Sequence, residues 1–177
     1  SRYSSKNPLG RIWAIEIWNE PNLSTNWGGQ TPDAKAYTRL LKLAYEAAKR
    51  ADPSVVIISA GLSPTGTNNK DVIPDDVFLQ QMYDAGAKNY FDVLGVHAHG
   101  YKAPPEVSPD EAAANPYYGG HRTFTFRRVE DLRNVMVKNG DGGKQVWVTE
   151  FGWTSDSINP AYSWHSVTEE QKGQYIL

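Results

Sequence analysis

Two glutamates stand at the ends of short runs rich in β-branched and aromatic residues. Glu20 closes IWNE at residues 17–20, and Glu150 closes VWVTE at residues 146–150. In a parallel sheet a residue at the carboxyl end of a strand points into the rim where α/β folds bind ligands. Two carboxyl groups facing one another there supply what cleavage of a glycosidic bond needs. One donates a proton to the leaving oxygen, and the other attacks the anomeric carbon or activates water to do so. Like charges held close also resist joint ionisation, which drives their pKa values apart and gives them different roles. A third carboxylate, Glu16, lies in the first run with the opposite parity to Asn19, and is read as a paired polar residue of the sheet interior or wall. His97 and His99 have the i, i+2 spacing that brings two imidazoles to one side of a strand. They admit two readings: hydrogen-bonding groups in a sugar site, or the beginning of a metal site. The metal reading needs at least one more ligand, and His121 and His165 are only loosely placed. Other chemistries drop out. Cysteine is absent, which removes disulfides, thiolate metal sites and a cysteine nucleophile. There is no Gly-x-Ser-x-Gly elbow and no dinucleotide fingerprint, and DGGK at residues 141–144 precedes a strand instead of opening a helix, so it is no phosphate loop.

The elements that must position these groups can be read from periodicity. Residues 12–18, 55–60, 91–97 and 146–150 are apolar, β-branched or aromatic runs of strand length. Between the first two, Thr31 reads as an N-cap with Pro32 at the first helical position. Apolar residues then recur at Tyr37, Leu40, Leu41, Ala44, Ala47 and Ala48 until Pro53 ends the helix. A second helix spans residues 74–85, with Gly86 as its C′ residue. A third spans residues 126–138, with Val129, Leu132, Val135 and Met136 on one face and Asn139-Gly140 as its stop. Ser166 and Glu169 fit a capping box for a last helix over residues 168–177, which reads as cut off in its second or third turn. Near-continuous apolar strands alternating with amphipathic helices predict an α/β fold with a helix-covered parallel sheet. The strand-to-helix links (residues 19–30, 61–73, 98–125 and 151–167) are long and lie on the rim that holds Glu20 and Glu150. They carry Trp27, Tyr101, Tyr117, Tyr118, Trp153, Tyr162 and Trp164. Flat side chains with a polar tip suit a wet binding cleft, although any one of them serves equally as a loop anchor.

Composition bounds the partners. Among 177 residues, 18 are Lys or Arg and 20 are Asp or Glu, a net charge of −2 with no basic run. That leaves no electrostatic footprint for nucleic acid or an anionic membrane. No apolar stretch approaches the ~20 residues of a membrane span. Residues 1–10 lack a signal-peptide layout. Residues 1–177 read as a single partial domain, a piece of a longer protein.

Trp18-Asn19-Glu20-Pro21-Asn22 resembles the acid/base motif of the glycoside hydrolases that share a (β/α)8 (TIM) barrel and carry catalytic glutamates after strands four and seven. Val148-Thr149-Glu150-Phe151-Gly152 resembles the nucleophile motif of the same clan, with β-xylosidase-like and cellulase-like members nearest in flavour. The resemblance implies that the chain covers about strands four to seven of the barrel and hydrolyses a β-linked carbohydrate by a retaining double displacement. Glu20 would be the general acid/base and Glu150 the nucleophile. Asn19 would hydrogen-bond the sugar 2-hydroxyl, and His97 matches a clan position that often carries His. His99 stands where the clan often has a Tyr that bonds the nucleophile. Trp153 would form a sugar-stacking floor, with Trp27 and Tyr101 as further sugar-binding residues. No metal or other cofactor is implied. The expected partners are the carbohydrate and the remainder of the barrel, without which the chain is expected to be a poor enzyme, and secretion follows from a polymeric substrate. Two other readings remain: a non-catalytic carbohydrate-binding protein on the same scaffold, and a metal-dependent barrel hydrolase using His97 and His99.

Overall fold

The computed structural model describes residues 10–177, so the 1–10 segment falls almost wholly outside the described residues. Four strands, β1 (Ala14–Ile17), β2 (Val56–Ser59), β3 (Val93–His99) and β4 (Gln145–Gly152), form one parallel sheet in the order β1-β2-β3-β4. Helix α1 (Ala34–Ala51) joins β1 to β2, and α2 (Asp75–Asp84) joins β2 to β3. The link from β3 to β4 holds α3 (Pro109–Ala114) and α4 (Arg128–Lys138). After β4 come α5 (Pro160–Ser163) and α6 (Glu169–Ile176). No helix among the described residues is long and apolar enough to cross a membrane.

Strand alternation sorts the two faces of the sheet. Leu94, Val96 and Ala98 of β3 pack outward with Tyr37 and Leu41 of α1, Phe78, Leu79 and Met82 of α2, and Leu132 and Met136 of α4 in one continuous buried core. Each large side chain removed from water there contributes roughly 1.5–3 kcal/mol. The other face carries Glu16, Gly95, His97 and Thr149. Glu16 of β1 accepts a hydrogen bond from the Thr149 hydroxyl of β4 at 3.0 Å, across the two intervening strands. A flat four-stranded sheet holds its outer strands roughly 14 Å apart, three spacings of about 4.8 Å, so this contact requires the sheet to curl about its inner face. Gly95 lies beneath the bridge, and a Cβ there would meet the Ser59 carbonyl.

Several boundaries differ from the sequence reading. The cap of α1 is Asp33, whose carboxylate accepts from the Ala36 N–H, and not Thr31. Pro32 therefore precedes the helix. The capping box of α6 is formed by Thr168 and Gln171, two residues beyond the Ser166–Glu169 pair. Strand β3 starts and ends two residues later than expected, and β4 runs on to Gly152, because the two strands continue to pair through His99 and Gly152. Helix α3 lies in a stretch that the sequence pattern reads as loop, although Ser108 and Glu111 form a full capping box at its start. Gly86 and Gly140 both follow their helices in the left-handed conformation, as their stop positions predict. Outer strands β1 and β4 each have one partner strand among the described residues, and large apolar side chains stand exposed beside both, Trp13 and Trp18 at one and Trp147 and Phe151 at the other.

Candidate active site

The chain leaves β1 through a strained turn. Trp18, Glu20 and Tyr101 are the three non-glycine residues with positive φ among the described residues, at 78°, 44° and 55°. Such conformations cost on the order of 1–3 kcal/mol each and gather at functional sites. The turn is held from outside. The Glu20 N–H donates to the Gly61 carbonyl, and buried Asn22 donates to the Ser63 and Ile73 carbonyls while accepting from the Ser63 N–H. Trp18 donates its indole N–H to the Asn26 carbonyl at 2.9 Å, and the Asn26 amide donates to Glu20 Oε2 at 3.2 Å.

Glu150 is aimed by a β-bulge. Val96 pairs with Val148, but the next residue of β3, His97, pairs with Glu150, so Thr149 is the extra residue. A bulge puts two successive side chains on one face and re-aims them, which is why bulges gather beside active sites. Here Thr149 reaches Glu16 and Glu150 reaches His97. Glu16, the polar residue expected in the sheet interior, also accepts from the Gly61 N–H at 2.8 Å. It thereby joins the β2 exit that holds Glu20 to the β4 bulge that aims Glu150.

His97, buried at 1% exposure, lies between the carboxylates. Its Nδ1 is 3.0 Å from Glu20 Oε1 and its Nε2 is 3.6 Å from Glu150 Oε1. Gly61 makes room for it, since a Cβ there would fall on the imidazole ring. Donor atoms of Glu20, His97, His99 and Glu150 all lie within 4.8 Å of one another, so an oxygen of one carboxylate is within that distance of an oxygen of the other. The two glutamates differ in setting: the Glu20 side chain is 16% exposed and that of Glu150 is 51% exposed. Burial pushes the Glu20 carboxyl up. The hydrogen bond and charge of His97, a hydrogen bond with Ser63 and the charge of His99 outweigh it and hold the group below its usual value. Burial and the neighbouring His97 hold His99 below its ordinary value, against the opposing pull of Glu20 and Glu150. The Tyr101 phenol is pushed well up by burial and by Asp75 and Glu20, and stays a donor, here to the Pro64 carbonyl at 3.0 Å.

Beside the cluster, a pocket of about 490 Å³ is lined by His99, Tyr101, Trp153, Asp156, Tyr162 and His165. Trp153 is 7% exposed, donates its indole N–H to the Ala103 carbonyl, and lies over Gly100, where a Cβ would fall on its ring. Tyr101 packs against Phe124, His165 and Trp164, with ring centroids 4.7, 5.1 and 5.7 Å away. Trp27 belongs elsewhere. It stands edge-on to Trp18 and Tyr37 and lines a separate groove with Arg39 and Leu40. Asn19 is exposed at the strained turn. The sequence reading missed Asn26 and Ser63 as partners of Glu20. Their contacts depend on how two loops meet, and no short-range pattern marks them.

No protein-family model matches the chain, and no curated protein matches it. Solved structures do. An endo-β-1,3-glucanase of family GH128 (subgroup II) from Sorangium cellulosum matches over 97% of this chain and 54% of its own, with a TM-score of 0.56 and 16% identity. A family 51 α-L-arabinofuranosidase from Bifidobacterium longum matches over 80% of this chain and 27% of its own, with a TM-score of 0.52 and 14% identity. A family 44 endoglucanase from Clostridium thermocellum matches over 84% and 38%, with a TM-score of 0.51 and 19% identity. The chain thus spans about a quarter to a half of the length of these solved chains. Its fold is α/β, part of a (β/α)8 barrel.

Proposed function

We propose that the chain carries the catalytic carboxylates of a retaining glycoside hydrolase acting on a β-linked oligo- or polysaccharide. The observation that carries the reading is the Glu20–Glu150 pair at the carboxyl ends of β1 and β4, with oxygens within 4.8 Å. Carboxyl groups ~5–5.5 Å apart act as acid/base and nucleophile, whereas ~6.5–9.5 Å leaves room for an inverting water. Half-exposed Glu150 attacks the anomeric carbon and forms a glycosyl ester as the C–O bond to the leaving group breaks. Glu20, which must first take up a proton against the influence of His97 that holds it low, gives that proton to the leaving oxygen. Glu20, now ionised, then takes a proton from water as the water oxygen attacks the same carbon and releases Glu150. His97 touches both carboxylates and orients them, and no metal is needed.

The β-linked substrate rests on the motif resemblance. The three similar solved structures are an endo-β-1,3-glucanase, an endoglucanase and an α-L-arabinofuranosidase, so both glucan and arabinofuranoside substrate types belong in the assay. The reading includes further strands of the barrel closing against β1 and β4. A non-catalytic binding protein has no use for two opposed carboxylates, one on strained backbone and one aimed by a bulge. The test is Glu150→Gln, assayed on aryl β-glucosides, β-xylosides and α-L-arabinofuranosides. Turnover is lost while sugar binding, followed by calorimetry, is kept. Retained turnover overturns the reading.

A further inference from the structure

Four donor groups converge at the carboxyl ends of β1, β3 and β4, and two of them are imidazoles, more than two-carboxylate hydrolysis requires. We propose that this cluster binds one divalent cation of borderline softness, Zn²⁺ above all, and that the bound ion blocks the hydrolysis proposed above. The inference rests on that catalytic reading.

The donor set comes first. His97, His99 and Glu150 offer two nitrogens and one oxygen, a three-ligand set of the kind that holds Zn²⁺ with its fourth position open. Hard cations such as Mg²⁺ prefer all-oxygen shells and take imidazole poorly. The second observation is the orientation of His97. Its Nδ1 is tied to Glu20 at 3.0 Å, which leaves Nε2 facing Glu150 at 3.6 Å. An imidazole bonded to a carboxylate through one nitrogen and free at the other is the arrangement that orients a metal-bound histidine. Glu20 is then the outer partner, not a ligand. Bonds of ~2.1 Å in a tetrahedron put ligands about 3.4 Å apart, so the 4.8 Å cluster must contract. The movable group is Glu150, half exposed at a bulge, while His97 is fixed by burial. The ion and the anomeric carbon therefore compete for the same Glu150 oxygen.

The experiment is isothermal titration of ZnCl2 into the purified protein at neutral pH, with MgCl2 as the hard-cation control, repeated on His99→Gln, Glu150→Gln and Glu20→Gln. One Zn²⁺ site is expected. Its affinity should fall at least ~10-fold in each variant, the loss typical when even an outer partner is removed. Absence of Zn²⁺ binding, or binding unchanged in both His99→Gln and Glu150→Gln, overturns the proposal. In the activity arm, inhibition by Zn²⁺ that EDTA reverses supports it, and Zn²⁺ binding that leaves turnover unchanged overturns it. Activity that EDTA abolishes and Zn²⁺ restores overturns it together with the metal-free mechanism. Zn²⁺ held by these residues in a protein that cleaves no glycoside overturns the catalytic reading and the inhibition, and leaves only the ion site.

Discussion

The imidazole of His97 touches Glu20 at 3.0 Å and approaches Glu150 at 3.6 Å, and it decides how readily Glu20 takes a proton. Without it the largest remaining influence on Glu20 is burial, which raises the pKa. In His97→Asn the Glu20 carboxyl is expected to titrate at higher pH than in the wild type, read by carbon NMR of labelled glutamate. An unmoved titration would remove His97 from that role. The sign extends to stability. A carboxyl held below its unfolded value of 4.5 contributes stability that is complete above that pH and is lost as pH falls through the folded pKa. Urea unfolding at descending pH should show this loss in the wild type, and Glu20→Gln should flatten it. Glu20→Gln is also expected to cost ~10²–10⁴-fold in turnover on substrates whose leaving group needs a proton. Glu20, Glu150 and His97 were legible because local motifs carry them. Asn26 and Ser63 were not, since each reaches Glu20 from a loop whose path depends on tertiary contacts.

At the scale of elements, the rim is clamped by charge. Arg128, at the start of α4, is 2% exposed and binds fully buried Asp75, at the start of α2, at 2.6 Å; it also reaches Asp76 and Asp131. Arg128→Met strands the Asp75 charge and should destabilise the protein by ~3–5 kcal/mol in urea titrations. A loss under 1 kcal/mol would mean that Asp75 finds another partner or takes up a proton. A milder case is Asp33→Ala, expected to cost ~1 kcal/mol because it removes the cap of α1. The four strands and helices α1, α2 and α4 were legible from their periods, with Gly86 and Gly140 marking stops, whereas α3 and α5 lie in stretches that read as loop. The bulge at Thr149 was hidden, because it exists only relative to β3. The cap of α1 differs from the reading because both Thr31 and Asp33 are good caps, and it is the Asp33 carboxylate that accepts from the Ala36 N–H.

The whole molecule is a curled sheet with helices on one side and two edges that bear exposed aromatics. Such edges promote association between chains. By light scattering, the 177-residue chain alone is expected to self-associate as concentration rises. Trp13→Lys, on the β1 edge, should reduce the effect, and a monomer at all concentrations would show that the edges are already protected. Turnover by the chain alone is expected to be slow, since sugar-binding residues from further strands would be missing. The alternation of strand and helix made the α/β class with its parallel sheet legible, and the barrel was implied by the motif resemblance. The inward bridge from Glu16 to Thr149, which brings the ends of β1 and β4 into register, had no local signature. The most direct test of the catalytic pair is covalent trapping. Aryl 2-deoxy-2-fluoroglycosides slow breakdown of a glycosyl ester, so even a slow enzyme accumulates it over hours. Peptide mass spectrometry should find the sugar on Glu150 and find none in Glu150→Gln. Hydrolysis of the parent glycoside without label on Glu150, or with label on another carboxylate, would contradict the assignment.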